Sequence, residues 1–317
     1  MKSAATTKDL QVGQRTFLQR LGRDMQRNYS LYLLVIPVIL FYVLFHYKPM
    51  YGLIIAFKRF NPSLGILGSP WVGFANFKQF FGGFHFARVL RNTLIISFSN
   101  LIFSFPAAII LALLLSEIKS KIFAKTVQTI TYMPHFISLV VVCGMVVDFV
   151  SYDGVINKIT ALFGMEPVAF LQNPGAFVPI YVISGIWQEV GWSSIIYLAA
   201  ITGINSELYE AATIDGAGRF RQVFAVTLPG IAPTIVIMLL LSIGNVMSLG
   251  YEKIILLYNP MIYETSDIIS SYVYREGLEN FNFGLSTAVG LFNSVINFIL
   301  VIGANKLSRV IGDTSLW

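Results

Sequence analysis

Six apolar runs, each near the length of a bilayer crossing, constrain this chain more than any other feature. They fall near residues 29–57, 93–115, 127–150, 176–201, 230–257 and 284–305. A helix needs about 20 apolar residues to cross the hydrocarbon layer, because each residue advances it by only about 1.5 Å. No water is present there to satisfy an unpaired backbone group, so runs of this length must be helical. Only 12% of the 317 residues are charged, against about 25% in a soluble domain. The expected fold is therefore an all-α polytopic membrane protein with six transmembrane helices and a lipid bilayer as solvent.

The net charge of +6 would suit nucleic acid if it formed one patch. The charges instead sit mainly at the ends of the apolar runs, which points to membrane orientation and away from nucleic acid as a partner. Lys2, Lys8, Arg15, Arg20, Arg23 and Arg27 precede the first run, which continues past Tyr47 without a small-residue cleavage pattern. A retained span with a cytoplasmic N-terminus is expected, not a signal peptide. Lys119, Lys121 and Lys125 place the loop after the second run inside, and Lys306 and Arg309 do the same after the sixth. An even number of spans then leaves both termini cytoplasmic, although Lys58, Arg59, Arg88 and Arg91 near outer boundaries weaken the sign rule.

Cys143 stands alone, and His46, His85 and His135 are dispersed. They provide no disulfide, no metal cluster and no acid, base or nucleophile constellation, so neither enzymatic activity nor a cofactor in this chain is expected.

Turn-forming residues make 58–91 an external loop with a short surface helix over 74–81, and 155–163 a second short helix. Residues 258–283 read as a polar external loop. Pro106 should kink the second span. Polar residues inside apolar runs are candidates for a substrate path, since such groups are costly in lipid. Trp187, Glu189 and Trp192 suit a sugar, by stacking and by accepting hydroxyl hydrogen bonds; a structural Glu189 paired with another subunit fits equally well. Asn245 is a path candidate or an interhelical hydrogen bond. Asn293 and Asn297 share one helical face, as a path pair or, more strongly, as a packing pair.

Between the fourth and fifth runs lies the insert from Tyr209 to Pro229. Glu210, Ala211, Ala212 and Thr213 are compatible with an exposed helical turn, and Gly216 and Gly218 supply the freedom to break it. Phe220, Phe224 and Leu228 recur at four-residue spacing, a stripe able to anchor the insert on the rest of the chain. Pro229 and Pro233 mark re-entry into apolar surroundings.

The ordered pattern Glu210-Ala211-Ala212, Asp215-Gly216-Ala217, Phe224, Leu228-Pro229 and Pro233 resembles the cytoplasmic coupling loop of membrane subunits of binding-protein-dependent ATP-driven importers. The run from Phe45 to Gly52, Asn305 to Arg309 and the terminal Ser315-Leu316-Trp317 look closest to permeases for complex saccharides, such as alginate and rhamnogalacturonan oligosaccharides. The resemblance implies a type I importer permease architecture in a bacterial cytoplasmic (inner) membrane. It implies a homologous second permease forming a heterodimer, two cytoplasmic ATPase subunits, an extracytoplasmic solute-binding protein and an oligosaccharide substrate. No Gly-x-x-x-x-Gly-Lys-Ser/Thr motif occurs, so ATP and Mg are expected on the partner ATPase. Glu210, Ala211, Ala212, Asp215 and Gly216 would make the ATPase contact, with Arg219 and Phe220 fixing its orientation. The expected organisation is a cytoplasmic segment 1–28, a permease domain 29–306 containing the coupling loop 205–229, and a cytoplasmic tail 307–317. A secondary transporter would also have kinked helices and buried polar groups, but it has no reason for this coupling pattern.

Overall fold

The computed structural model describes residues 26–311. Lys2 to Arg23 and Ser315 to Trp317 lie outside the described residues. Among those described the regular structure is helical, apart from one isolated β-bridge between Lys58 and Trp71. The chain divides after Ile54 into two compact units. Most of α1 (Tyr29–Phe57) belongs to the first unit, and its most apolar window buries no side chain. An apolar helix without a buried face is built for lipid or a partner.

The second unit contains α2 (Ala75–Phe81), α3 (His85–Ser116), α4 (Lys121–Tyr132), α5 (Leu139–Val150), α6 (Val155–Ala161), α7 (Pro174–Thr202), α8 (Ser206–Ile214), α9 (Arg219–Gly244), α10 (Tyr251–Leu257), α11 (Tyr263–Ser266), α12 (Ile269–Tyr274) and α13 (Phe283–Ile311). Among the described residues, five helical stretches are long and apolar enough to cross a membrane: α1, α3, Leu139–Ala161, α9 and α13.

The expected fourth span is α7. It is 29 residues long but is absent from that set, because Ser184, Gln188, Glu189, Ser193 and Ser194 dilute its apolar character. Ser184, Gln188 and Ser194 are buried within this unit, whereas Glu189 is exposed and meets His135. Phe177, Tyr181 and Val182 near one end pack with Ile96, Cys143 and Ile254, while Tyr197 and Ile201 near the other pack with Ala108, Ala112 and Ile231. At Gly191 a Cβ would lie 2.0 Å from the Thr131 carbonyl oxygen. Only glycine permits that approach of α7 to α4.

Three expectations are corrected. The third run is not one helix over 127–150. It breaks between α4 and α5 at the 3-10 turn Met133–Phe136, where Pro134 cannot donate a backbone hydrogen bond and Ile137 turns extended. The fifth span is shifted: α9 already starts at Arg219 and ends at Gly244, so Pro229 and Pro233 lie inside it. A π turn at Val223–Thr227 precedes Pro229, just as one at Val43–Tyr47 precedes Pro49. In both cases the wider turn accommodates a ladder that proline would interrupt.

The third correction concerns 258–283, which is folded rather than a polar loop. Ile262, Ser266, Asp267, Ile268, Ile269 and Ser271 are fully buried. Asn92 on α3 donates to the carbonyls of Glu264 (2.9 Å) and Asp267 (3.0 Å), and the Ile269 amide donates to Thr93 Oγ1 at 3.0 Å. Asp267 accepts from Arg88 at 3.1 Å and, in a two-pronged contact, from Arg275 at 3.1 and 2.7 Å. Burial alone would lower the Arg275 pKa; the hydrogen bonds and charge of Asp267 outweigh it and push it up. Two cations that blurred the charge rule thus have local structural work. Arg88 neutralises Asp267, and Lys58 Nζ donates to the Ile66 carbonyl at 2.6 Å.

Candidate functional site

The insert folds as a helix, a glycine break and a continuous entry into α9. Asn205 caps α8 by accepting from the Glu207 amide at 3.0 Å. Asp215 ends it, and Gly216 follows at φ +75°, a conformation available to glycine at little cost. None of the α8 side chains is buried. Glu210, Ala211, Asp215 and Gly216 are exposed and Ala212 is half-buried.

Polar contacts fix this exposed helix to the start of α9. The Tyr209 hydroxyl lies 3.0 Å from Thr227 Oγ1, itself buried, and Gln222 Nε2 donates to Thr213 Oγ1 at 2.9 Å and to the Ala217 carbonyl at 3.1 Å. Arg219 meets Glu117, just beyond α3, at 3.6 Å. The expected apolar anchor is corrected: Phe220 is 85% exposed and Phe224 69% exposed, and only Leu228 of that stripe joins the core. The hydrogen bonds at Thr213 and Thr227 hold the insert in place, which leaves both rings outward.

The six path candidates do not converge on one pocket. Trp187 lines an apolar cavity of about 600 Å³ with Met145, Phe149 and Ile183. Glu189 Oε2 lies 2.8 Å from His135 Nδ1, and the His135 ring stacks on Trp192 with centroids 4.4 Å apart and planes 2° apart. His135 is therefore not isolated: the break after α4 delivers it to α7. Asn245 lines a separate, polar cavity of about 430 Å³ between α3, α7 and α9. Asn293 and Asn297 serve the chain beyond α9 instead, donating to the Met247 carbonyl at 2.9 Å and accepting from the Met247 amide at 3.0 Å.

Two further residues went unmarked in the sequence. Asp267 lies in the stretch 258–283 read as a polar loop, and no spacing signal joins it to Arg88. Lys253 carried a usable signal, a lysine inside an apolar run. It is buried, its Nζ donating to the Tyr181 carbonyl at 3.0 Å and sitting 4.7 Å above the Tyr181 ring.

Residues 104–311 match the family described as binding-protein-dependent transport system inner membrane component. The chain is 45% identical to the polygalacturonan/rhamnogalacturonan transport system permease protein YteP of Bacillus subtilis (strain 168), over 92% of this chain and 91% of that protein. It is 43% identical to protein LplB of the same organism, over 92% of each chain. A crystal structure of a bacterial alginate ABC transporter, in complex with an alginate pentasaccharide-bound periplasmic protein, contains a chain of the same fold. The TM-score is 0.87 and the identity 44%, covering 94% of this chain and 100% of that one. The chain belongs to the binding-protein-dependent transport system inner membrane components, the membrane permease subunits of ABC transporters.

Proposed function

We propose that this chain is a six-span permease subunit that admits oligosaccharides or polysaccharide fragments and couples ATPase closure to alternating access. Its relatives' cargo supports the saccharide class: polygalacturonan and rhamnogalacturonan in one case, alginate in another. In this reading α7, fourth in chain order, joins the five apolar stretches to make six crossings, both termini are cytoplasmic, and the domain limits are those drawn from the sequence. The partners are a homologous second permease, two ATPase subunits carrying ATP and Mg, and an extracytoplasmic binding protein. This chain itself catalyses no reaction and binds no cofactor.

The observation that carries the coupling role is α8, exposed along its length yet hydrogen-bonded to α9 through Tyr209–Thr227 and Gln222–Thr213. A helix tied in this way moves with the span it precedes. Glu210, Ala211, Ala212, Asp215 and Gly216 form the docking surface, where small alanines allow close approach and Glu210 offers charge-assisted bonds. Arg219 orients this surface through Glu117, and Phe220 offers the partner an apolar ring. Trp187, Glu189, Trp192, Asn245, Asn293 and Asn297 are assigned to the path, the last two by shaping its backbone.

Gly216→Pro tests this reading, because proline fixes φ near −65° where the chain needs +75°. In the reconstituted complex it should leave the spans inserted but sharply reduce substrate-stimulated ATP hydrolysis. Normal stimulation would defeat the coupling role.

A further inference from the structure

The polar cavity between α3, α7 and α9 has a use that the candidates above do not account for. Ser97, Asn100, Ser104, Tyr197, Asn245 and Ser248 are among its lining residues. Its volume of about 430 Å³ falls within the range of roughly 300–1,000 Å³ typical of small-ligand sites. The break between α9 and α10 forms one wall, because the chain leaves helical geometry after Gly244 and resumes it at Tyr251.

This wall is held in place by its neighbours. Ser97 Oγ donates to the Val246 carbonyl, Asn293 donates to the Met247 carbonyl, and Asn297 donates to Ser248 Oγ. Other polar groups remain available. Tyr197 lines the cavity, and its hydroxyl has no hydrogen-bond partner among the described residues. The Asn100 carbonyl oxygen accepts from Ser104 at 2.8 Å, which leaves the amide donors of Asn100 without a partner among the described residues.

Lys253 stands beside this cavity, behind its lining residues Asn100 and Tyr181. A Cβ placed on Gly185 would lie 3.2 Å from Lys253 Nζ and 3.8 Å from Asn100 Oδ1, so the ammonium and a cavity-lining amide share one notch on α7. Tyr181, whose carbonyl accepts from that ammonium, also lines the cavity. Among the described residues no carboxylate lies within 4.0 Å of Lys253 Nζ. A cation withdrawn from water needs a charged partner or a full set of hydrogen bonds, and one carbonyl and one aromatic face supply only part of this.

We propose that the cavity at the α9–α10 break is a subsite for one sugar ring of the cargo, and that Lys253 makes it select a ring bearing a carboxylate. The site rests on the saccharide-importer reading above. Hydroxyl and amide groups receive the ring hydroxyls, and the ammonium receives the carboxylate in a charge-assisted bond.

The test uses the whole complex, with its binding protein and ATPases, reconstituted in proteoliposomes. Uptake of trigalacturonate is compared with uptake of its neutral methyl ester. Lys253→Met should raise the apparent KM for trigalacturonate by about tenfold or more, the range set by loss of a hydrogen bond to a charged group, and change that for the ester by less than about twofold. Lys253→Arg should retain most of the discrimination. Asn100→Asp, which keeps the side-chain shape but adds a like charge to the cavity, should weaken trigalacturonate selectively and decides the matter if Lys253→Met does not assemble.

An equal loss for both probes, or no change for either, overturns the subsite. So does a wild-type complex that transports only the ester. A wild-type complex that transports neither probe would count against the saccharide reading itself.

Discussion

The helix α8 buries none of its side chains, whereas the segment around Asp267 buries a carboxylate completely and brings two arginines to it. Both are polar stretches joining apolar helices. They differ in where their hydrogen bonds go. Around Asp267 the polar groups of α3 and of the folded 258–283 segment largely pair with one another, with Arg88 Nε left over among the described residues, making a nearly closed structural element. In α8 only the side facing α9 is bonded, through Tyr209 and Thr213, while Glu210 and Asp215 remain exposed. A polar segment whose groups mostly pair internally serves stability, and one that holds contacts in reserve serves a partner.

Breaking the closed element should have the largest effect. Asp267→Ala removes the shared acceptor of Arg88 and Arg275 and strands two partly buried cations, at a cost of about 3–5 kcal/mol. The expected outcome is a large fall in melting temperature and in folded yield in detergent. A melting temperature unchanged from wild type would end the structural assignment of this cluster.

Alkaline pH sharpens the same contrast. Burial, followed by the hydrogen bond to Tyr263, pushes the Tyr258 hydroxyl above the ordinary tyrosine range. The unfolded chain loses this proton near about pH 10, while the folded chain still holds it. The stability that this proton contributes is therefore complete below about pH 10 and falls as pH rises, by at most about 1.4 kcal/mol per pH unit. Arg275, also raised, keeps its contribution throughout that range. Melting curves between pH 9 and 11 should fall less steeply for Tyr258→Phe than for wild type. Parallel curves would remove Tyr258 from the explanation.

The smallest stability effect belongs to the exposed face. Phe220 is 85% exposed, so Phe220→Ser should change stability by no more than about 0.5 kcal/mol. Its effect should appear in ATPase co-purification, which drops if the ring is a partner contact. A loss of melting temperature with full ATPase retention would reverse the two roles.

Much of this was legible in the chain itself. Membrane-length apolar runs can only be helices in lipid, and that physical necessity placed α1, α3 and α13 closely; the run behind α9 was found, but the helix starts at Arg219, eleven residues before 230 and inside the insert. Asn205, Asp215 and Gly216 act locally, so the helix and its glycine break could be read from neighbouring residues alone. The family pattern in the same insert was legible for the same reason, being contiguous.

The tertiary structure decided what depends on distance in space. Pro134 signals a break, but only the fold carries His135 across that break to Glu189 and Trp192. Asp267 and Arg88 are 179 residues apart, and no periodicity links them. Phe220 and Phe224 have the spacing of a buried stripe, yet they face outward because Gln222 and Thr227 fix the orientation of that helix. Lys253 is only a lysine in an apolar run until α10 packs on α7 and sets its ammonium beside Asn100. Sequence periodicity determines which residues share a face of a helix; which face finds a neighbour is decided when the helices pack.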